Sequence, residues 1–101
     1  PLYASPEQIR AEEIDERTDV YSVAATLYFL LTGRAPHQGG DAAAVLARIV
    51  SEPAPPARRL RPELPASLDA VLMRALDRDR ERRHRNLGEL RDALLPFAPQ
   101  P

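Results

Sequence analysis

The segment from Thr18 to Thr32 constrains this chain more than any other. It carries Val20, Tyr21, Val23, Ala24, Ala25, Leu27, Tyr28, Phe29, Leu30 and Leu31. Thr18-Asp19 opens it with an acid near the positive end of a helix dipole, and Gly33 closes it as a C′ residue. At 3.6 residues per turn these apolar side chains cover nearly every face, not a single stripe. A helix apolar all round is buried on all sides. A chain of 101 residues can hardly surround such a helix, so this segment predicts neighbours outside the sequence. The apolar run is interrupted by Ser22 and Thr26 and falls short of the ~20 residues that span a bilayer.

Composition sets the outer limits. The length allows one small domain at most. With 44% hydrophobic and 29% charged residues, the proportions are globular. A formal net charge of −1 gives no electrostatic footprint for nucleic acid or an anionic membrane. There is no cysteine, which excludes disulfides and thiolate metal sites. Two histidines alone do not make a typical zinc site. All 14 basic residues are arginine. With abundant Ala and Pro, this suggests a GC-rich coding sequence and hints at a bacterial source. No basic stretch leads into an apolar run near Pro1, so no signal peptide is expected. The chain reads as an excised soluble piece, with a cytoplasmic location expected.

No segment alternates with period two, and no Asn-Gly or Asp-Gly pair marks a hairpin. The expected fold is therefore all-α, with about five helices. Ser5-Pro6-Glu7 predicts a short first helix reaching Ala11, with Ser as N-cap, Pro at the first position and an acid in the first turn. The apolar segment above is the second. A third runs from Asp41 to Ser51, where Val45, Leu46, Ile49 and Val50 form one face. Pro53 to Pro65 holds five prolines. That excludes a regular helix and predicts an ordered loop, with a flexible linker as the alternative. Ser67 is expected to cap a fourth helix through Leu68, Val71, Leu72, Ala75 and Leu76. Asn86-Leu87-Gly88-Glu89 resembles a capping box for a fifth, with Leu87, Leu90, Leu94 and Leu95 facing inward. Residues 1–95 form the domain, and 96–101 a Pro-rich tail or the start of a linker.

Three motifs then stand in a fixed order. Pro1-Leu2-Tyr3-Ala4-Ser5-Pro6-Glu7-Gln8 resembles the end of a protein kinase activation segment, with Ser5-Pro6-Glu7 where that family has Ala-Pro-Glu. Twelve residues after Glu7, Asp19-Val20-Tyr21-Ser22 and the following Leu30-Leu31-Thr32-Gly33-Arg34-Ala35-Pro36 resemble the family's Asp-Val-(Trp/Tyr)-Ser helix and its "LLTGxxP" ending. Ala75 to Arg83 resembles the "LxKDPxxR" segment before the last helix. One such triplet means nothing, but three in order over residues 1–95 are specific. The resemblance is to the helical C-lobe of the protein kinase-like α+β fold, and Tyr3 with Ser-Pro-Glu-Gln resembles the serine/threonine branch. Ala24 replaces the family's usual Gly, His37 an aromatic residue, Arg80 a Pro and His84 an apolar residue or Pro. These departures leave room for a degenerate parent.

The resemblance implies roles for six residues. Glu7 would pair with Arg83 in a buried ion pair, where the bland alternative is two solvated charges. Asp19 would hold the catalytic loop through backbone amides, or merely complement its helix dipole. Pro1, Leu2 and Tyr3 would line the pocket for the substrate residue just after the phosphoacceptor. Phosphoryl transfer needs a Gly-rich loop, a strand Lys, the Asp of His-Arg-Asp, a downstream Asn and the Asp of Asp-Phe-Gly. The sequence contains none of these motifs and no Lys. No catalytic, cofactor-binding or metal-binding residue is therefore expected in this chain, and ATP and Mg belong to the parent kinase. The chain alone is expected to be inactive. It is also expected to be molten or aggregating, with Tyr21, Leu27 and Phe29 exposed.

The implied partners are a protein substrate of the parent and the N-lobe and catalytic loop of the same domain. Neither nucleic acid nor a membrane segment is expected. Two other classes compete. One is a pseudokinase-like protein-interaction module. The other is a small nucleic-acid binder built on Arg78 to Arg85, where five arginines face two acids. Interleaved Asp79 and Glu81 make that segment a solvated, partly paired loop instead.

Overall fold

The structure, a computed structural model, describes residues 3–99. Six α-helices follow one another: α1 (Pro6–Ile9), α2 (Glu16–Thr32), α3 (Ala42–Ser51), α4 (Ala57–Leu60), α5 (Ala66–Ala75) and α6 (Leu87–Leu94). Single 3-10 turns lie at Arg80–Arg82 and Leu95–Phe97. There is no strand among the described residues. The all-α expectation holds, with one helix more than expected.

Local chemistry explains the boundaries. Ser5 caps α1 in a full capping box: its hydroxyl accepts the Gln8 amide, and its own amide donates to the Gln8 side chain at 2.9 Å. Helix α2 starts earlier than Thr18-Asp19. Asp15 is its N-cap and accepts the Arg17 amide at 2.8 Å, while the Arg17 guanidinium turns back onto the same carboxylate. Gly33 ends α2 at φ 78°, with its amide bonded to the Phe29 carbonyl at 2.7 Å. A Cβ there would meet open space, so the backbone conformation rather than crowding calls for glycine. Helix α3 lies where it was expected, with Asp41 as its N-cap. The fourth expected helix is α5, and Ser67 does not cap it: Pro65 takes the N-cap position without a side-chain bond.

Helix α2 is the centre. It packs against α4, α5 and α6, while α1 rests on α3. Its buried apolar residues are Val20, Tyr21, Ala24, Ala25 and Tyr28. They share one side of the helix and belong to one core with Ile49 of α3, Leu72 of α5 and Leu90 of α6. Ala24 and Ala25 are almost fully buried. The opposite side is bare. Asp19, Val23, Thr26 and Leu30 form a stripe at i, i+4, i+7 and i+11, and all four are exposed. The expectation of burial on every face thus holds for one side only, because these residues supply neighbours on that side alone. The expected exposure of Tyr21 is wrong: it is 2% exposed. Leu27, also expected to be exposed, is half-buried; Phe29 is exposed, as expected.

Two further assignments change. Of the four leucines expected to face inward on the last helix, Leu90 is buried and Leu94 packs at the core's edge, but Leu87 and Leu95 are exposed. Pro96 and Phe97, read as tail, form a 3-10 turn with Leu95, and Phe97 packs on the core.

Candidate functional site

The site grows from α1. The capping box fixes the first turn, and this turn holds the Glu7 side chain inward, 3% exposed. Arg83 comes from the far end of the chain, just after the Arg80–Arg82 turn. That turn is itself capped by Asp79, which accepts the Glu81 amide at 3.0 Å. The two side chains meet in a bidentate pair, with Nη1 to Oε2 at 2.7 Å and Nη2 to Oε1 at 2.9 Å. Parallel N–H···O bonds of this kind are among the strongest polar contacts in proteins.

Both groups make further hydrogen bonds. Thr18 donates its hydroxyl to Glu7 Oε2 at 2.8 Å. Arg83 Nε donates to the Asp77 carbonyl at 2.7 Å, and Nη1 also reaches the Arg17 carbonyl at 3.1 Å. The guanidinium lies 4.9 Å from the centre of the buried Tyr21 ring, a cation–π contact. One arginine thus joins α1, the start of α2 and the loop before α6. Around it, Arg80 donates to the Glu13 carbonyl and Arg78 to the Ser51 carbonyl, tying the same loop to the α1–α2 connection and to the end of α3.

The electrostatics follow. Burial alone would raise the Glu7 carboxyl. The hydrogen bonds from Arg83, the backbone and Thr18, with the Arg83 charge, outweigh it and hold the carboxyl at about 2. Burial pushes the Tyr21 phenol up to about 12. Hydrogen bonding from the Arg17 guanidinium holds Asp15 down, also at about 2.

The structure brings Glu7 and Arg83 together and leaves Asp19 apart. Asp19 follows Thr18 directly but faces the other way, exposed on the bare stripe of α2. Tyr3 stands before α1 with its ring edge-on to Phe29 of α2, centroids 6.5 Å apart at 86°. Pro1 and Leu2 lie outside the described residues. Thr18, Tyr21 and the Arg17 and Asp77 carbonyls are members of the cluster that sequence reasoning missed. Thr18 had a signal, a hydroxyl eleven positions from a carboxylate expected to be buried, but the two carbonyls had none. Among the described residues, no group of three or more His, Asp or Glu side chains could hold a metal, and no helix is long and apolar enough to cross a membrane.

A buried Glu–Arg pair that joins the Ser-Pro-Glu helix to the loop before the last helix is what the kinase resemblance required. Comparison with known proteins agrees. The chain is 39% identical over 95 residues to the probable serine/threonine-protein kinase PknB of Bifidobacterium longum (strain NCC 2705), a match covering 94% of the chain and 14% of that protein. It is 42% identical over 94 residues to the serine/threonine-protein kinase PknB of Mycolicibacterium smegmatis (strain ATCC 700084 / mc(2)155), covering 92% of the chain and 15% of the relative.

The chain belongs to the protein kinases. As an all-α piece it corresponds to the family's helical C-lobe. A tyrosine-protein kinase, MasK of Myxococcus xanthus (strain DK1622), is also similar, 35% identical over 96 residues, with 95% of the chain and 15% of that protein covered. No family model matches the chain. This kinase piece spans only 14 to 15% of the length of these relatives. Within it, Glu7 and Arg83 fasten α1 to the start of α2 and to the loop before α6.

Proposed function

We propose that these residues are the substrate-side and scaffold part of an ATP-dependent serine/threonine protein kinase, inactive by themselves and acting on a protein substrate in the cytoplasm. The observation that carries this is the buried Glu7–Arg83 pair. It fixes the segment carrying Tyr3 against α2 at a point where the bland alternative, two solvated charges, would have left it loose.

ATP and magnesium belong to other parts of the domain. The sequence has no Gly-rich phosphate loop, no Lys, no His-Arg-Asp and no Asp-Phe-Gly, so its residues do not fit the cofactor and no chemical step is assigned to them. Their contribution is positional. The bare stripe Asp19-Val23-Thr26-Leu30 supports docking of the catalytic loop and an upstream helix. So does an apolar groove of about 260 Å³, lined by Val23, Leu87, Leu90, Leu94 and Leu95. Asp19 at one end of the stripe would accept hydrogen bonds from catalytic-loop amides. Uncovered, the same surface favours aggregation of the 101-residue chain. A cooperative, monomeric thermal melt of that chain would refute this last point.

The deciding experiment is a phosphotransfer assay on a kinase-length polypeptide containing these residues, beside the 101 residues alone. The long form transfers phosphate to Ser or Thr, and the short form does not. Asp19→Ala and Glu7→Ala in the long form lower the rate. An inactive long form that still binds protein partners would favour the pseudokinase reading, and transfer to Tyr would overturn the serine/threonine assignment.

A further inference from the structure

An open pocket of about 240 Å³ lies at the C-terminal end of α2, beside the loop into α3 and the turn of α4. Tyr28, Pro36, Pro55 and Leu60 give it an apolar floor. The Tyr28 hydroxyl already donates to the Pro55 carbonyl at 2.8 Å. Arg34 and Arg59, both exposed, line the same pocket, and no acid among the described residues does. These two arginines are unusual in this chain. Arg34, Arg59 and the adjacent Arg58 have neither an acid nor a carbonyl as side-chain partner among the described residues, whereas every other arginine has one. The opposite end of α2 carries the complementary chemistry. Residues 12–15 have no regular structure, and Ile14 is 57% exposed amid Glu12, Glu13, Asp15 and Glu16. Arg17 holds Asp15 and Arg10 reaches Glu12, but the Glu13 and Glu16 carboxylates have no partner among the described residues. The loop is nevertheless fixed: the Glu12 amide donates to the Glu7 carbonyl at 2.8 Å, Arg80 donates to the Glu13 carbonyl, and Asp15 caps α2.

We propose that the acidic loop of one copy docks in the pocket between α2 and α4 of a second copy, with Ile14 on the apolar floor and Glu13 and Glu16 paired to Arg34 and Arg59. The two surfaces match in kind. An isoleucine flanked by free carboxylates meets an apolar floor flanked by free guanidinium groups, which bind carboxylates through charge-assisted hydrogen bonds. A bare phosphate or a nucleic-acid backbone would leave that floor without an apolar partner. One chain cannot close the contact on itself, because the 17 residues of α2 hold its loop and its pocket about 25 Å apart. The contact therefore runs head to tail. Each copy that joins leaves one loop and one pocket open, so assembly continues past two copies into a ring or a filament. Nothing in this contact depends on phosphotransfer.

The test is sedimentation of the kinase-length polypeptide over a concentration series. At low salt the average mass of the wild type climbs past that of a dimer. In about 1 M salt, which screens charges more than about 3 Å apart, it falls back to the monomer. Two charge-reversed proteins decide the contact: a pocket variant, Arg34→Glu with Arg59→Glu, and a loop variant, Glu13→Arg with Glu16→Arg. Each stays monomeric by itself, because its loop and pocket now carry like charges. An equal mixture associates again, since each loop then meets a pocket of opposite charge, a rescue that misfolded variants could not give. Ile14→Ser and Leu60→Ser keep the charges and each weaken association roughly tenfold, the scale of one lost apolar anchor; they decide the matter if a charge-reversed protein fails to fold. A wild type that is monomeric throughout, a closed dimer that does not grow, or association that survives both charge reversals would overturn the inference. So would a mixture of folded variants that stays monomeric. A monomeric wild type whose pocket binds an acidic peptide would assign the pocket to a different protein and overturn it too.

Discussion

Glu7 and Arg83, 76 positions apart in sequence, form a doubly hydrogen-bonded ion pair with side chains 3% and 0% exposed. Removing one member leaves the other charge buried without its partner. Breaking such a pair costs about 3–5 kcal/mol, far more than a surface ion pair is worth. In the kinase-length polypeptide, Glu7→Ala and Arg83→Met should each lower the urea midpoint sharply. The double variant should cost clearly less than the two single losses added together, because neither charge then remains unpaired. Additive losses would show that the two groups do not depend on each other.

The same pair makes an acid-stability prediction. The Glu7 carboxyl titrates near 2 in the folded chain against a usual 4.5. A group depressed on folding contributes stability that is complete above its unfolded value and is lost as the pH falls through its folded value. Stability should therefore fall between about pH 4.5 and pH 2. Glu7→Gln cannot titrate, so its chemical-denaturation midpoint, lower at neutral pH, should change less over that window. Equal slopes for the two proteins would contradict the assignment.

Much of this site was legible in the sequence because its order of motifs is specific. Glu7 and Arg83 stood out only with the Asp19 to Gly33 segment between them. The rest was not legible, for physical reasons. The Arg17 and Asp77 carbonyls belong to backbone that no side-chain type encodes, and only the assembled fold aims them at Arg83. Helix α4 hides among prolines because Pro56, at φ −54°, suits an N-cap that donates no amide hydrogen bond, and four residues are too few to show a period. The start of α2 was placed at Thr18-Asp19 by its nearness to the apolar run. Asp15 takes the cap instead because its carboxylate reaches both the Arg17 amide and guanidinium. The all-apolar pattern of α2 could not say which side these residues would cover.

Ala11 carries a local cost. It adopts φ 56°, the left-handed region, at the residue after the α1 C-cap Arg10, where glycine is the usual occupant. A Cβ there costs about 1 kcal/mol. Ala11 is exposed, so its methyl group contributes little packing. Ala11→Gly should raise the melting temperature by roughly 2–4 °C without changing phosphotransfer. Ala11→Val should lower it, since a β-branched residue is worse still at positive φ. If the glycine variant melts lower, the turn after α1 is not strained in the way described.

His84 combines burial with an unmet bond. It is 2% exposed, and its Nδ1 has no hydrogen-bond partner among the described residues. A buried polar atom left unpaired costs about 1–3 kcal/mol. Burial lowers its pKa, the Arg74 charge lowers it further, and Glu89 pulls weakly the other way. The unfolded chain therefore takes up a proton more readily than the folded one, and stability should fall as the pH drops below the unfolded value of 6.5. His37, also buried and also lowered, contributes in the same direction. His84→Leu removes the unpaired nitrogen and one of the two titrations. The variant should melt higher than wild type at pH 8, by an amount equivalent to about 1 kcal/mol, and the gap should widen at pH 5.5. The residual slope of His84→Leu then belongs to His37, and His37→Phe in the same background should flatten it. A variant that melts lower at pH 8, or one whose pH slope matches the wild type, would show that His84 has a partner in the folded kinase.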